Sequence, residues 1–543
     1  MPTARSISIS LVLAATAVAC GGQGPPPALT VTSPARGLMQ SGTAKITVTG
    51  TAMPSTSGAP VANVMVNGVA ATLSSDGSFT ATLDAPKGAM LVKTVATTDE
   101  GGSATDTRAV RSGELRKVGA GIDRAITAAL SADAFTRLSA VAGPMLKTMD
   151  LAAMLAPMQP MTVAGDDLAN LSLSLTALKF SDTRIALAPV DGGLSFTAGF
   201  DGLDVAATVA YGGALVPDGS TAVTIHADQV TITGTLDITP AGTAGFATQL
   251  VNPSVHTVGL KLSASGLVGS ILDLLNSELG STVQSIASQS AETAMAPLIN
   301  QALGALAGPQ RIDVLGKKLD LQVSPSAVTL SPAGAVVALN LQALLEGSES
   351  SPGYIYTDNG APAMDMSHGF QLGLADDLIN ELLAEIHALG LLDLNLAHDY
   401  GVFDNAQFQL ATPPMISANT SDGAMRLVIG DMTAMFTKKG ATLVKAAINA
   451  QVDLKIVPAA NAREVALQFG HVDLWVDVLD DSHHTGATGD DLAGATSVGV
   501  GIQLDSLSKL LITLPVPSVA GIQLEHLAIG ADSGYVMMTG QIH

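Results

Sequence analysis

The chain has 543 residues, of which 47% are hydrophobic, 13% charged and 3% aromatic, and it carries a formal net charge of −22. With 47 acidic residues against 25 Lys and Arg, it lacks the cations that phosphate contacts need. That argues against nucleic acid as a partner and against a basic patch docking on anionic lipid. The length sets a prior of about three or four domains, and abundant Gly with few aromatics suits β-rich structure.

Arg5 is the one charge ahead of an apolar run, Ile7 to Ala19 (ISISLVLAATAVA), that ends at Cys20. The run is too short for a membrane span and reads as a signal peptide over residues 1–19. Ala17 and Ala19 precede the only cysteine in the chain. This resembles the bacterial lipobox, where the cysteine thiol is joined to diacylglycerol before cleavage on its N-terminal side. A single cysteine cannot form an internal disulfide, so Cys20 is expected to be lipidated and to anchor the chain to a membrane. Lipid chains add about 0.8 kcal/mol per buried CH₂. The competing reading is a plain secretory signal with a chance cysteine. Residues 20–28 (CGGQGPPPA) form a Gly/Pro linker. Gly21, rather than Asp, after the cysteine resembles an outer-membrane lipoprotein, so the expected location is the bacterial cell envelope, anchored at the outer membrane.

Residues 29–113 read as a small β-sandwich, with strands expected at Thr30–Thr32, Ile46–Thr49, Val61–Val66, Ser78–Leu83 and Leu91–Thr97. Asn67-Gly68 and Asp76-Gly77 are hairpin signals. The segment VNGVAATLSSDGSFTATL resembles bacterial immunoglobulin-like modules of envelope proteins. Its expected role is a spacer or a contact module.

Residues 114–310 form the next expected domain. From 114 to 160 the pattern leans helical, with Val118, Ile122, Ile126 and Leu130 on one face. A patch of Met145, Met149, Met154, Met158 and Met161 follows, as core filling or as an adaptable lipid-contacting rim. Alternation then takes over: Leu171, Leu173, Leu175; Leu194 to Phe200; Leu203 to Val209; Val230 to Ile238. Period two with short Gly/Asp turns predicts an antiparallel meander with one apolar face. The stretch Ser265–Gly308 predicts a long amphipathic helix bent at Pro297. Such a helix either packs in the core of an α+β domain or closes an elongated lipid-holding barrel.

Residues 311–346 carry two more strands, near Leu319–Val323 and Ala335–Leu341, and residues 347–543 the last domain. A second helix is predicted at Ala375–Leu389, its apolar stripe including Leu378, Leu382 and Ile386. Strands follow through 391–478. Helix-leaning and strand-rich stretches alternate like two related halves.

This order of pieces resembles the bactericidal/permeability-increasing protein family, also called the tubular lipid-binding (TULIP) superfamily, over residues 114–543. The resemblance rests on VTITGTLDIT with SVHTVGLKLSASGLVGSILDLLNSEL, on RIDVLGKKLDLQVSPSAVTLSPAGAVVALNLQALLEG, on GFQLGLADDLINELLAEIHALGLLDLNL and on LPVPSVAGIQLEHLAIGADSGYVMMTGQ. It implies an α+β fold: two elongated barrels, each a curled antiparallel sheet around a long helix, joined by a central sheet and preceded here by the β-sandwich. It further implies acyl chains held in apolar tunnels, with phospholipid-like lipids as partners. Candidate lining residues are Leu267, Ile271, Leu274, Leu275 and Val283 on the first helix and Leu378, Leu382 and Ile386 on the second. The family's first-barrel disulfide cannot form with one cysteine, and its basic endotoxin-gripping tip is not evident.

There is no Gly-x-Ser-x-Gly elbow, phosphate loop or cysteine pair, so neither an enzyme nor a cofactor is expected. The cluster Asp480, Asp481, His483, His484, Asp490 and Asp491 holds potential metal ligands, but its spacing fits a solvated loop better. His471, Asp473, Trp475 and Asp477 alternate as a solvent-facing row. The expected function is lipid binding or transfer, with a structural or adhesive envelope protein of solid core as the alternative. No protein partner is indicated.

Overall fold

The computed structural model of the chain describes residues 24–148, 159–165, 170–213, 216–264, 308–314, 316–366, 369–397, 403–418, 425–458, 465–511 and 524–542. These divide into two compact units. One comprises 24–38, Ala44–Ala85 and Leu91–Val110; the other comprises Met39–Thr43, Pro86–Met90 and the chain from Arg111 onward.

The first unit is all-β. Ala28–Ser33, Ile46–Met53, Ser78–Leu83 and Thr72–Leu73 form one antiparallel sheet. Val61–Val66 pairs with Gly88–Thr98 and, through a hairpin, with Val69–Ala70. Asn67 and Gly68 take φ of 46° and 80° at that hairpin, as a two-residue primed turn requires. Alternation buries Val48 and Val66 completely while Thr47 and Asn67 beside them are exposed. Arg108 donates to the Pro34 carbonyl at 2.7 Å and to the Val31 carbonyl and, with Arg36, pairs with Asp106, which ties Ala28–Ser33 to the strand Ser103–Arg116.

The second unit contains three antiparallel sheets. A central seven-stranded sheet runs in the order Gly308–Val314, Lys317–Ser331, Gly334–Leu345, Ile122–Ser131, Phe370–Ala375, Tyr535–Ile542, Leu524–Asp532. A first lateral sheet follows the path Met161–Gly165, Asn170–Lys179, Gly193–Gly213, Val216–Pro240, Phe246–Val258, with Asp182–Val190 and Lys261–Ala264 added at its sides. A second lateral sheet follows Leu394–Ala397, Asn405–Gln409, Met425–Lys438, Ala441–Pro458, Val465–Asp480. Three helices are described: α1 (Ala132–Thr148), α2 (Asp376–Ala388) and α3 (Gly489–Leu511). They pack respectively on Asp182–Val190, on the central sheet, and on Val465–Asp480.

This architecture corrects the expected fold class. Of the described residues 65% are strand and 12% helix, in open sheets with three short helices, and no curled sheet wraps a long helix among them. The expectation of two such α+β barrels fails because strand pairing extends much further than short apolar runs suggest. Two strands of 21 and 25 residues form a single hairpin, from Leu194↔Leu236 to Gly213↔Val216. The stretch from 114 to 131 is also corrected: Ile122–Ser131 is a strand. Ile122, Ile126 and Leu130 are four residues apart, and four is a multiple of two as well as close to 3.6, so either period puts them on one face. Pairing on both sides, with Gly334–Leu345 and Phe370–Ala375, selects the strand.

Candidate functional site

The first lateral sheet carries an aliphatic layer separate from the main core. Leu171, Leu173, Leu175, Val205, Ala207, Val209, Val223 and Ile225 form it, none more than 7% exposed. They alternate along three neighbouring strands, so one face collects all eight. The same long hairpin also feeds the main core, through Phe196, Ala198, Phe200, Val230 and Ile232. The two contributions separate at Asp201-Gly202. There the apolar alternation slips by one residue, and Gly202 sits at φ 57°, a region in which a side chain would be strained. Leu178, Leu203 and Leu260 border both clusters. The eight side chains carry no polar atom, Tyr211 packs at their border, and burying such aliphatic surface is worth about 25 cal/mol per Å².

The second lateral sheet is filled differently. The Phe436 ring meets Phe403 at 5.1 Å and Phe408 edge-on at 6.3 Å. Helix α3 lies over this sheet, with Leu492, Val500, Leu504 and Leu507 in the core. Gly499 permits the approach, since a Cβ there would stand 2.8 Å from a carbon of the Phe408 ring.

Helix α2 has a second, polar, face that is buried as completely as its apolar one. Asp376, Asp377, Asn380, Glu381 and Glu385 are each at most 3% exposed. Their partners are backbone and side-chain groups of four segments. Asp376 accepts from Ala418 N at 2.9 Å and Asn359 Nδ2 at 2.9 Å. Asp377 accepts from Thr357 N (2.7 Å), Thr357 Oγ1 (2.9 Å) and Asp358 N (3.2 Å). Asn380 clasps Ile416, accepting from its N–H at 2.7 Å and donating to its carbonyl at 2.9 Å. Glu381 Oε1 accepts from Gly119 N at 2.7 Å, and Glu385 Oε1 from Leu345 N at 3.0 Å and Ser348 Oγ at 3.2 Å. The Oε2 atoms of both glutamates and the hydroxyl of Tyr354 are buried without a hydrogen-bond partner among the described residues.

Burial dominates the electrostatics of this face. Desolvation pushes Glu381 up to about 9 and Glu385 to about 7, with neighbouring carboxylates adding to the rise. Asp376 is raised to about 7 by burial and by Asp377, against the pull of its donors. Asp377 is raised in the same direction by burial. Desolvation likewise lifts Tyr354, and it lifts Tyr356 to about 12. Arg116, whose guanidinium lies 3.4 Å from the centre of the Tyr356 ring, is the nearby cation and tempers the rise at Asp377 and Glu381.

The sequence-derived positions fall as follows. Cys20, Leu267, Ile271, Leu274, Leu275 and Val283 lie outside the described residues. Leu382 and Ile386 are buried, and Leu378 is half-buried, all against the main core. His471 meets Asp473 at 3.1 Å on an exposed strand, and Asp481 caps its own turn by accepting from Thr485 and Gly486. No group of three His, Cys, Asp or Glu able to hold a metal occurs among the described residues. None of the described helices is long and apolar enough to cross a membrane. The acidic face of α2 was missed, because acidic residues on a helix are ordinarily solvated. One signal was present: DDLINELLAEIHA holds four carboxylates and neither Lys nor Arg, so no i,i+4 ion pair supports them.

No curated protein matches the chain. Among solved structures it is similar to a lipopolysaccharide binding protein, at 14% identity and a TM-score of 0.40, over 78% of this chain and 99% of the other. It is also similar to P47 of Clostridium botulinum E1, at 9% identity and a TM-score of 0.27, over 77% and 98% of the two chains. P47 from Clostridium botulinum A2 is similar at 9% identity and a TM-score of 0.25, over 78% and 99%. Residues 27–112 match the family model for glucodextranase, domain B, and an immunoglobulin-like domain of that kind stands at the N-terminal end of the chain.

Proposed function

We propose that this chain is a bacterial envelope lipoprotein that binds phospholipid-like lipids, without covalent chemistry, on the aliphatic layer of its first lateral sheet. The observation that carries the proposal is that layer: eight aliphatic side chains from three strands, set apart from the main core. Hydrocarbon needs only such a surface, at about 0.8 kcal/mol per CH₂. The ligand is placed on this sheet and not on the second, whose aromatic packing under α3 favours the alternative of a solid structural core there. Membrane attachment is assigned to Cys20 and location to the outer membrane, on the sequence of residues 1–21.

Two measurements test this reading. The full chain, expressed in a bacterium and extracted with organic solvent, should release acyl lipid in stoichiometric amount by mass spectrometry. An extract without lipid would leave only the structural reading. In detergent phase separation the wild type should follow the detergent and Cys20→Ser the aqueous phase; a mutant still held by membranes would remove Cys20 as the anchor.

A further inference from the structure

The polar face of α2 holds together segments far apart in sequence: Gly119, Leu345–Ser348, Thr357–Asn359 and Ile416–Ala418 all hydrogen-bond to it. The helix also follows directly on Phe370–Ala375 of the central sheet, and Asp376 N donates to the Gly534 carbonyl at 3.0 Å. The carboxylates are not equally provided for. Asp376 and Asp377 lie in the first turn, where the helix dipole favours negative charge, and both receive several donors. Glu381 and Glu385 lie beyond that turn. Each has one oxygen bonded and one buried with no partner among the described residues.

A buried carboxylate oxygen without a donor is costly, and a neutral acid much less so. We propose that α2 is a proton-dependent clasp: Glu381 and Glu385 hold protons while the clasp is closed, and their ionisation loosens Gly119 and Leu345–Ser348 from the helix.

The surrounding groups oppose ionisation more than they favour it. From the helix itself, Asp377 faces Glu381, and the two glutamates face one another. Glu349, just past the strand Gly334–Leu345, faces Glu385. The strand Tyr354–Tyr356 brings Tyr354 to Glu381, and Tyr535 from the last strand faces the two aspartates. Asp123 and Arg124 of the strand Ile122–Ser131 act on Tyr356 and Tyr535 respectively. Arg116 favours charge on Glu381, but it is also engaged by Glu114 at 2.9 Å. Phe370–Ala375 and Met415–Ser417 bring no titratable side chain.

The sign follows from linkage. Both glutamates titrate higher in the folded chain than their ordinary value of 4.5, so the unfolded chain gives up these protons first. Stability from the protonated clasp is therefore full below that value. It is lost as pH rises through about 7 for Glu385 and about 9 for Glu381.

The test is thermal unfolding of the full-length protein in detergent across this range. The wild-type midpoint should fall by about 5 °C or more between about pH 5 and about pH 9. Glu381→Gln keeps an acceptor for Gly119 N and cannot ionise, so it should at least halve the fall. Asp490→Asn, which removes one exposed carboxylate, should leave the fall unchanged and so separate the clasp from general acidic repulsion. A wild-type midpoint that does not fall, or a folded Glu381→Gln with the full wild-type fall, would overturn the proposal. Should Glu381→Gln not fold, amide exchange on the wild type, corrected for intrinsic rate, decides. Gly119 and Leu345 should lose about tenfold or more in protection over this range relative to Val209 in the first lateral sheet; equal losses would overturn the clasp.

Discussion

The two lateral sheets of the second unit follow one path and end in different interiors. Each is an antiparallel path of five strands, with two further strands paired at the sides of the first and one short strand at the side of the second. In the second sheet, three phenylalanines interlock beneath a helix that a glycine lets down onto the Phe408 ring. In the first, the eight buried side chains of the separate layer are aliphatic, with Tyr211 at their border, and α1 packs on the neighbouring strand Asp182–Val190. Similar strand paths therefore carry different interiors, and on the proposed function only the first would take a ligand. The side chains on each apolar face make the difference. Aromatic rings fix their neighbours through size and edge-to-face geometry, while small aliphatics present a smooth surface that hydrocarbon can share.

The largest expected effect lies in the second sheet. Phe436→Ala should cost about 3–5 kcal/mol in denaturant unfolding, because its rigid neighbours cannot collapse into the space. A loss under about 1 kcal/mol would mean that the second interior is not solid, and the contrast would fail. In the first sheet Leu173→Ala should cost about 2 kcal/mol, the low end for such a truncation, since a bound chain can fill the gap. A cost near 5 kcal/mol would instead mark a rigid, ligand-free core. Smallest is the effect of salt. Binding that rests on aliphatic burial should change less than about twofold between low and high salt, as read by liposome flotation. A steep loss would point to a cationic site.

The parts of this account that were legible in the sequence are those in which neighbours along the chain decide the outcome. Val61–Val66 and Ser78–Leu83 lie where alternation and hairpin signals put them, and α2 spans Asp376–Ala388 against an expected Ala375–Leu389. The alternation at Leu171–Leu175 and Leu203–Val209 gave an antiparallel meander with an apolar face, but its division into two clusters at Asp201-Gly202 was not read from it. What stayed hidden depends on distant partners. Ile122, Ile126 and Leu130 become a strand because Gly334–Leu345 and Phe370–Ala375 flank them. Glu381 and Glu385 are buried because Gly119 and Leu345 bring amides to them from 262 and 40 residues away. Within a helical turn the sole hint is the lack of any Lys or Arg to pair with them. The stripe of α2 was read correctly as apolar, yet Leu382 and Ile386 are packed in the main core.

Native mass spectrometry of the intact protein tests the central claim most directly, comparing wild type with Leu173→Trp in the first sheet and Phe436→Leu in the second. The account predicts a lipid-sized adduct on the wild type, its loss in Leu173→Trp with the fold retained, and its persistence in Phe436→Leu. A wild type without adduct, or a folded Leu173→Trp that keeps it, would contradict the placement of lipid on the first lateral sheet.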